Sequence, residues 1–104
     1  MNIYQGSSYN LPIKLTINGE PITNRDVQKV QFAFSDKLIK TYPDEATWDG
    51  EKFIVSLTQE DTLALDATAQ LFYQARIWFN DGTYKPTKPK PFGVIPAVSK
   101  EVLK

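Results

Sequence analysis

The stretch Tyr9-Asn10-Leu11-Pro12-Ile13-Lys14-Leu15-Thr16-Ile17 decides the fold class. Its apolar residues fall at every second position with polar residues or proline between them, and a period of two marks a strand with one face buried. A helix would need apolar positions three and four apart. Pro12 has no N–H to give to a ladder, which places the strand at a sheet edge or gives it a bulge near its start. Asn18-Gly19-Glu20-Pro21 then ends it in a turn, with Gly19 supplying a positive φ.

The same alternation recurs downstream. After a polar connection over residues 22–26, Val30, Phe32 and Phe34 alternate with Gln31, Ala33 and Ser35, which predicts a core strand. Residues 38–42 form a short strand stopped by Pro43, and an acidic turn region ending in Asp49-Gly50 leads to a third alternating set, Phe53, Val55 and Leu57. Thr58-Gln59-Glu60-Asp61 resembles a capping box with Asp in place of Glu, predicting one helical turn near 59–65 that Leu63 or Leu65 pins to the core. Over residues 70–80, Leu71, Tyr73, Ala75, Ile77 and Phe79 share one face, with Phe72, Gln74, Arg76 and Trp78 on the other. Asn80-Asp81-Gly82-Thr83 is a hairpin signal, and Tyr84 begins the return strand. Pro86, Pro89 and Pro91 predict an edge or polyproline-like run over 85–92, followed by a short strand at Val94 and Ile95. Residues 98–104 are expected to fray.

Short strands in this number, punctuated by turns and with little helix, predict an all-β fold: an antiparallel Ig-like β-sandwich of six to eight strands. Phe32, Phe34, Phe53, Leu57, Tyr73 and Ile77 are its candidate core. The chain has 104 residues, 41% of them apolar, so residues 1–104 form one domain able to bury its own core. It contains neither cysteine nor histidine. That excludes disulfide scaffolds, thiolate or imidazole zinc sites, and Ser–His or Cys–His nucleophilic catalysis. No apolar stretch approaches the roughly 20 residues that span a bilayer, and residues 1–4 lack the basic start of a secretory signal. The expected compartment is the cytoplasm. The 12 basic and 12 acidic residues are unevenly placed, with five lysines against Glu101 from Lys85 onward. Interleaved with prolines and without arginine, those lysines read as a solvated strand or linker rather than a nucleic-acid surface.

The order of segments resembles the N-terminal Ig-like domain of phage baseplate upper proteins and related small tail-associated proteins of phages that infect Gram-positive bacteria. The segments are Tyr4-Gln5-Gly6-Ser7-Ser8-Tyr9-Asn10-Leu11-Pro12-Ile13, Asn18-Gly19-Glu20-Pro21-Ile22, Val30-Gln31-Phe32-Ala33-Phe34, Val55-Ser56-Leu57-Thr58-Gln59-Glu60-Asp61-Thr62, and Phe72-Tyr73-Gln74-Ala75-Arg76-Ile77 with Asp81-Gly82. The resemblance implies a non-enzymatic structural protein of a phage or prophage virion, made in the cytoplasm of a bacterial host. Its partners would be tail or other virion proteins, including copies of itself, without nucleic acid or membrane. It brings no catalytic residue, cofactor or metal, and the chain's length fits a stand-alone protein that decorates or bridges a tail or capsid.

Other constellations have plain structural readings. Asp44, Glu45, Asp49 and Glu51 lack the spacing of a calcium loop and read as turn charges. Glu60 and Asp61 point apart as neighbours do, and capping accounts for Asp61. Pro86-Thr87-Lys88-Pro89 fits a P-x-x-P ligand only formally. Phe72, Arg76, Trp78 and Tyr84 are the candidate interaction residues, because two aromatic faces on one strand leave one set to meet a partner or to be covered by the proline-rich return; the structural reading of the same face is core filling against a second sheet. The alternative function is a carbohydrate- or host-protein-binding module, with Trp48, Trp78 and Tyr84 meeting a sugar.

Overall fold

The structure, a computed structural model, describes residues 2–68 and 70–98. Among these are eleven strands: β1 (Asn2–Tyr4), β2 (Tyr9–Ile13), β3 (Leu15–Ile17), β4 (Glu20–Ile22), β5 (Val27–Ala33), β6 (Ile39–Tyr42), β7 (Ala46–Trp48), β8 (Phe53–Leu57), β9 (Leu71–Phe79), β10 (Tyr84–Pro86) and β11 (Lys90–Ile95). One helix, α1 (Gln59–Leu63), follows β8. No helix among the described residues is long and apolar enough to cross a membrane. The expected frayed end lies, apart from Val98, outside the described residues.

The all-β expectation holds, with two corrections. The strands number eleven rather than six to eight: the first alternating run splits into β2 and β3, β4 forms where a turn and connection were expected, and β1 and β7 are three-residue pieces, too short for an alternation to register. The pairing is also mixed rather than wholly antiparallel. A six-stranded sheet runs β1-β11-β9-β5-β6, with β10 also paired to β9, and its β1–β11 pair is parallel. A second sheet runs β2-β8-β7, and β3 and β4 form a separate hairpin.

The decisive stretch keeps its alternation while breaking at Lys14 into β2 and β3: Leu11, Ile13 and Leu15 are buried, with Tyr9 and Ile17 partly so. β2 is an edge strand, as Pro12 requires. Asn18 and Gly19 both adopt positive φ, 53° and 82°, the backbone that a two-residue hairpin turn needs. β5 begins at Val27, earlier than the alternation from Val30 indicates. A bulge between Val27 and Lys29 inserts Gln28, so two valines three positions apart both face inward.

The return takes the edge course of the two that its prolines allow. In β11 the residues Lys90, Pro91 and Phe92 pair with β9, whereas Gly93, Val94 and Ile95 pair with β1. Each half therefore has a ladder neighbour on one side only, and the donor that Pro91 lacks is not needed on its open side.

The two sheets share one apolar core. Phe32 of β5 meets Phe53 of β8 with ring centroids 5.8 Å apart, and Val30, Val55, Leu57, Ile77 and Phe92 close around them, all buried. Of the candidate core, Tyr73 is only partly buried. Leu65, rather than Leu63, is the buried anchor after α1.

The capping box forms as its spacing predicts. The Asp61 N–H donates to Thr58 Oγ1 at 3.2 Å, and the Thr58 N–H donates to Asp61 Oδ2 at 2.9 Å. Lys40 Nζ lies 3.0 Å from the same carboxylate, tying edge strand β6 to the helix. Partial burial pushes the Asp61 carboxyl up. The Thr58 N–H and the Lys40 ammonium more than offset this and hold it below its ordinary 3.8. A depressed pKa gives stability that is complete above the unfolded value and disappears as pH falls through the folded one. Asp61→Ala is thus expected to destabilise the neutral protein by about 1 kcal/mol. Denaturant titrations of both proteins should show that difference shrinking below about pH 3.8; a difference independent of pH would mean that the ionised carboxylate is not what matters.

Candidate interaction surface

β9 is held by β5 along one side and by β10 and β11 along the other, which leaves only its two faces free. Ala75 and Ile77 point into the core, so Phe72, Gln74, Arg76 and Trp78 point out. The return strands run beside β9 within the sheet, and the outer face stays at the surface, with Phe72 53% and Tyr84 64% exposed. Trp78 is partly exposed.

The cross-strand registers order this face in rows. Lys29, Trp78 and Tyr84 form one row, and Thr41, Gln31, Arg76 and Pro86 form the next. Of the four candidate residues, Arg76, Trp78 and Tyr84 line one open cleft of about 370 Å³, together with Lys29, Gln31 and Thr41. Phe72 does not reach it. It sits at the other end of β9 opposite Pro91, separated by the Gln74 row.

Trp78 is bracketed. The Tyr84 ring stacks on it at 5.3 Å with planes 19° apart, and Lys29 Nζ lies 5.4 Å from the indole centroid. Because Lys29 and Tyr84 come from strands on opposite sides of β9, both faces of the indole are engaged, and the stacked pair with its cation stiffens the row. Trp48 lies elsewhere: on β7, with its ring 4.8 Å from Phe53, it is partly buried against the core. The three aromatics of the carbohydrate reading therefore do not make one platform, and Tyr84 is the most exposed ring of the row.

Lys29 and Arg76 give the cleft two cations, and no acidic side chain lines it. Gln31 and Thr41 add neutral polar groups. Such a surface can take an acidic side chain beside an apolar or aromatic one.

The remaining constellations are engaged in their own loops. The Asp49 carboxylate accepts the N–H groups of Lys52 and Glu51 at 2.8 and 2.9 Å, which hold it below its ordinary pKa. Glu45 accepts the Thr41 N–H. No group of three or more acidic, histidine or cysteine side chains that could hold a metal is found among the described residues. The P-x-x-P segment is fastened to β9, since the Thr87 N–H donates to the Ala75 carbonyl at 2.8 Å and Thr87 Oγ1 accepts the Ala75 N–H at 3.0 Å.

Sequence reasoning missed Lys29, Gln31 and Thr41. Register between strands distant in sequence brings them to β9; the signal available was the alternation of β5, which turns Lys29 and Gln31 away from the side of Val30 and Phe32. A scan against family models and searches of curated proteins and solved structures found no match for this chain.

Proposed function

We propose that this chain is a non-enzymatic structural protein of a phage or prophage particle, associated with the tail or baseplate in a Gram-positive host, that works through protein–protein contacts. Its architecture in this reading is an Ig-like β-sandwich, supported by two sheets around one core and by hairpin connections. The observation that carries the docking role is the outer face of the six-stranded sheet. Exposed Tyr84 and the partly exposed Trp78 stand there beside Lys29 and Arg76 on adjacent rows of paired strands, the mixture of aromatic anchors and arginine that concentrates binding energy at interfaces. The assignment to a virion rests on the resemblance of the segment order to small phage tail proteins.

Two measurements test the reading. Mass spectrometry of purified particles from the source should find the protein together with the tail proteins, and its absence from particles that contain them would refute the virion role. For the partner co-purified in that way, Arg76→Glu and Tyr84→Ala should each weaken binding at least tenfold; Arg76→Glu should leave the melting temperature unchanged because its side chain is exposed, and Tyr84→Ala should lower it only slightly through the lost stack on Trp78. Unchanged affinity in both would remove the outer face from the interface.

A further inference from the structure

A second cavity of about 420 Å³ opens on a different part of the molecule, between residues 13–18 and the return segment 86–90. We infer that it is a docking groove for an extended, acidic segment of a partner protein, which adds as a strand along β3.

The shape of the wall gives the direction of the occupant. Every residue from 13 to 18 lines the groove. A strand that presents a face contributes alternate residues, so an unbroken run means that the groove follows the backbone edge. β3 pairs with β4 on one side, and no second strand pairs with it among the described residues. The facing wall does not close the gap. Pro86 has no N–H to donate, Thr87 is already bonded to Ala75, and Lys90 is paired with Tyr73 of β9. An unpaired edge beside a lined groove is the arrangement used in strand addition, in which main-chain bonds hold the guest and pockets choose its side chains.

The lining chooses those side chains. Phe32, Tyr73 and Ala75 form an apolar floor, which suits inward-pointing aliphatic residues. Lys14, Lys88 and Lys90 stand around it, no acidic residue lines the cavity, and none of the three lysines forms an ion pair among the described residues. The guest's other face therefore carries carboxylates. Here the lysines interleaved with prolines after Tyr84 acquire a use beyond solvation.

The test is an amide-shift titration of the ¹⁵N-labelled protein with a capped hexapeptide alternating glutamate and valine, and with its lysine–valine counterpart. Saturable shifts at residues 14–18 and 87–88 with the acidic peptide, at least tenfold weaker for the basic one, are expected. The double variant Lys14→Glu/Lys88→Glu should weaken the acidic peptide at least tenfold; should charge reversal disturb folding, Lys14→Gln/Lys88→Gln should still weaken it several-fold. Absence of shifts at 14–18, or equal affinity for both peptides, would overturn the proposal. Shifts confined to Trp78 and Tyr84 would also overturn it while leaving the outer face intact.

Discussion

Replacing Phe34 with alanine is expected to destabilise the protein by about 3–5 kcal/mol, the range for removing a buried aromatic ring. Phe34 is fully buried where β5 gives way to the loop into β6. Its ring lies 6.1 Å from both Tyr73 and Phe92, edge-on to Phe92 with planes 84° apart, so it joins β5, β9 and β11 at one point. Its N–H donates to the Leu38 carbonyl at 2.9 Å, fixing the backbone and limiting how far the site can collapse around a missing ring. A small domain has about 5–15 kcal/mol in total, and each kcal/mol moves its melting point by about 4–8 °C. Thermal denaturation followed by circular dichroism should therefore show a loss of about 12 °C or more. A loss of a degree or two would contradict the core placement.

The second large effect is expected at a polar residue. Thr62 on α1 is fully buried, and its hydroxyl accepts the Gly6 N–H at 2.9 Å while Oγ1 lies 2.9 Å from the Ser7 carbonyl to which it donates. Thr62→Val keeps the shape and removes these bonds, along with the longer 3.1 Å approach of the hydroxyl to the Gln59 carbonyl, leaving a partly buried donor at Gly6 and acceptor at Ser7 without this partner. Such orphaned groups cost about 1–3 kcal/mol each, and because Gly6 and Ser7 retain some exposure the expected loss is about 2 kcal/mol. Thr62→Ser restores the hydroxyl at the expense of one methyl, about 1 kcal/mol. Chemical denaturation of the three proteins separates the two contributions: the ordering wild type, Ser, Val attributes the effect to the hydroxyl, and a valine variant more stable than the serine one would attribute it to packing.

These two sites differ in how far they could be read in advance. Phe34 is legible because Val30, Phe32 and Phe34 repeat at the period of a strand. Thr62 is not, since its importance lies in hydrogen bonds to residues far away in the chain, and nothing in the local pattern marks them. The same division holds for the fold. The alternating runs in β2, β8 and β9, the Asp81-Gly82 hairpin and the capping box are local arrangements of side chain and backbone, and each forms where its residues say. β1 and β7 are not legible, being three residues long, and β7 stands among acidic turn residues. Pro91 is read correctly as excluding a two-sided strand, since residues 90–92 have β9 as their one ladder neighbour, but the staggered second pairing of residues 93–95 with β1 has no local signal. Of the outer face, alternation alone gives Phe72, Arg76 and Trp78 a common side. It does not reveal that Arg76 and Trp78 share a cleft with β5 and β6 while Phe72 stands apart.

The parallel pairing of β1 with the second half of β11 also bears on how the chain is made. Asn2, Ile3 and Tyr4 leave the ribosome early, yet their ladder partners at Gly93, Val94 and Ile95 are synthesised some ninety residues later. Until then Ile3, fully buried in the finished molecule, waits without its neighbouring strand. Closure of that edge is consequently a late event in biosynthesis, and nascent chains stalled short of residue 93 carry an open sheet border available to other polypeptides.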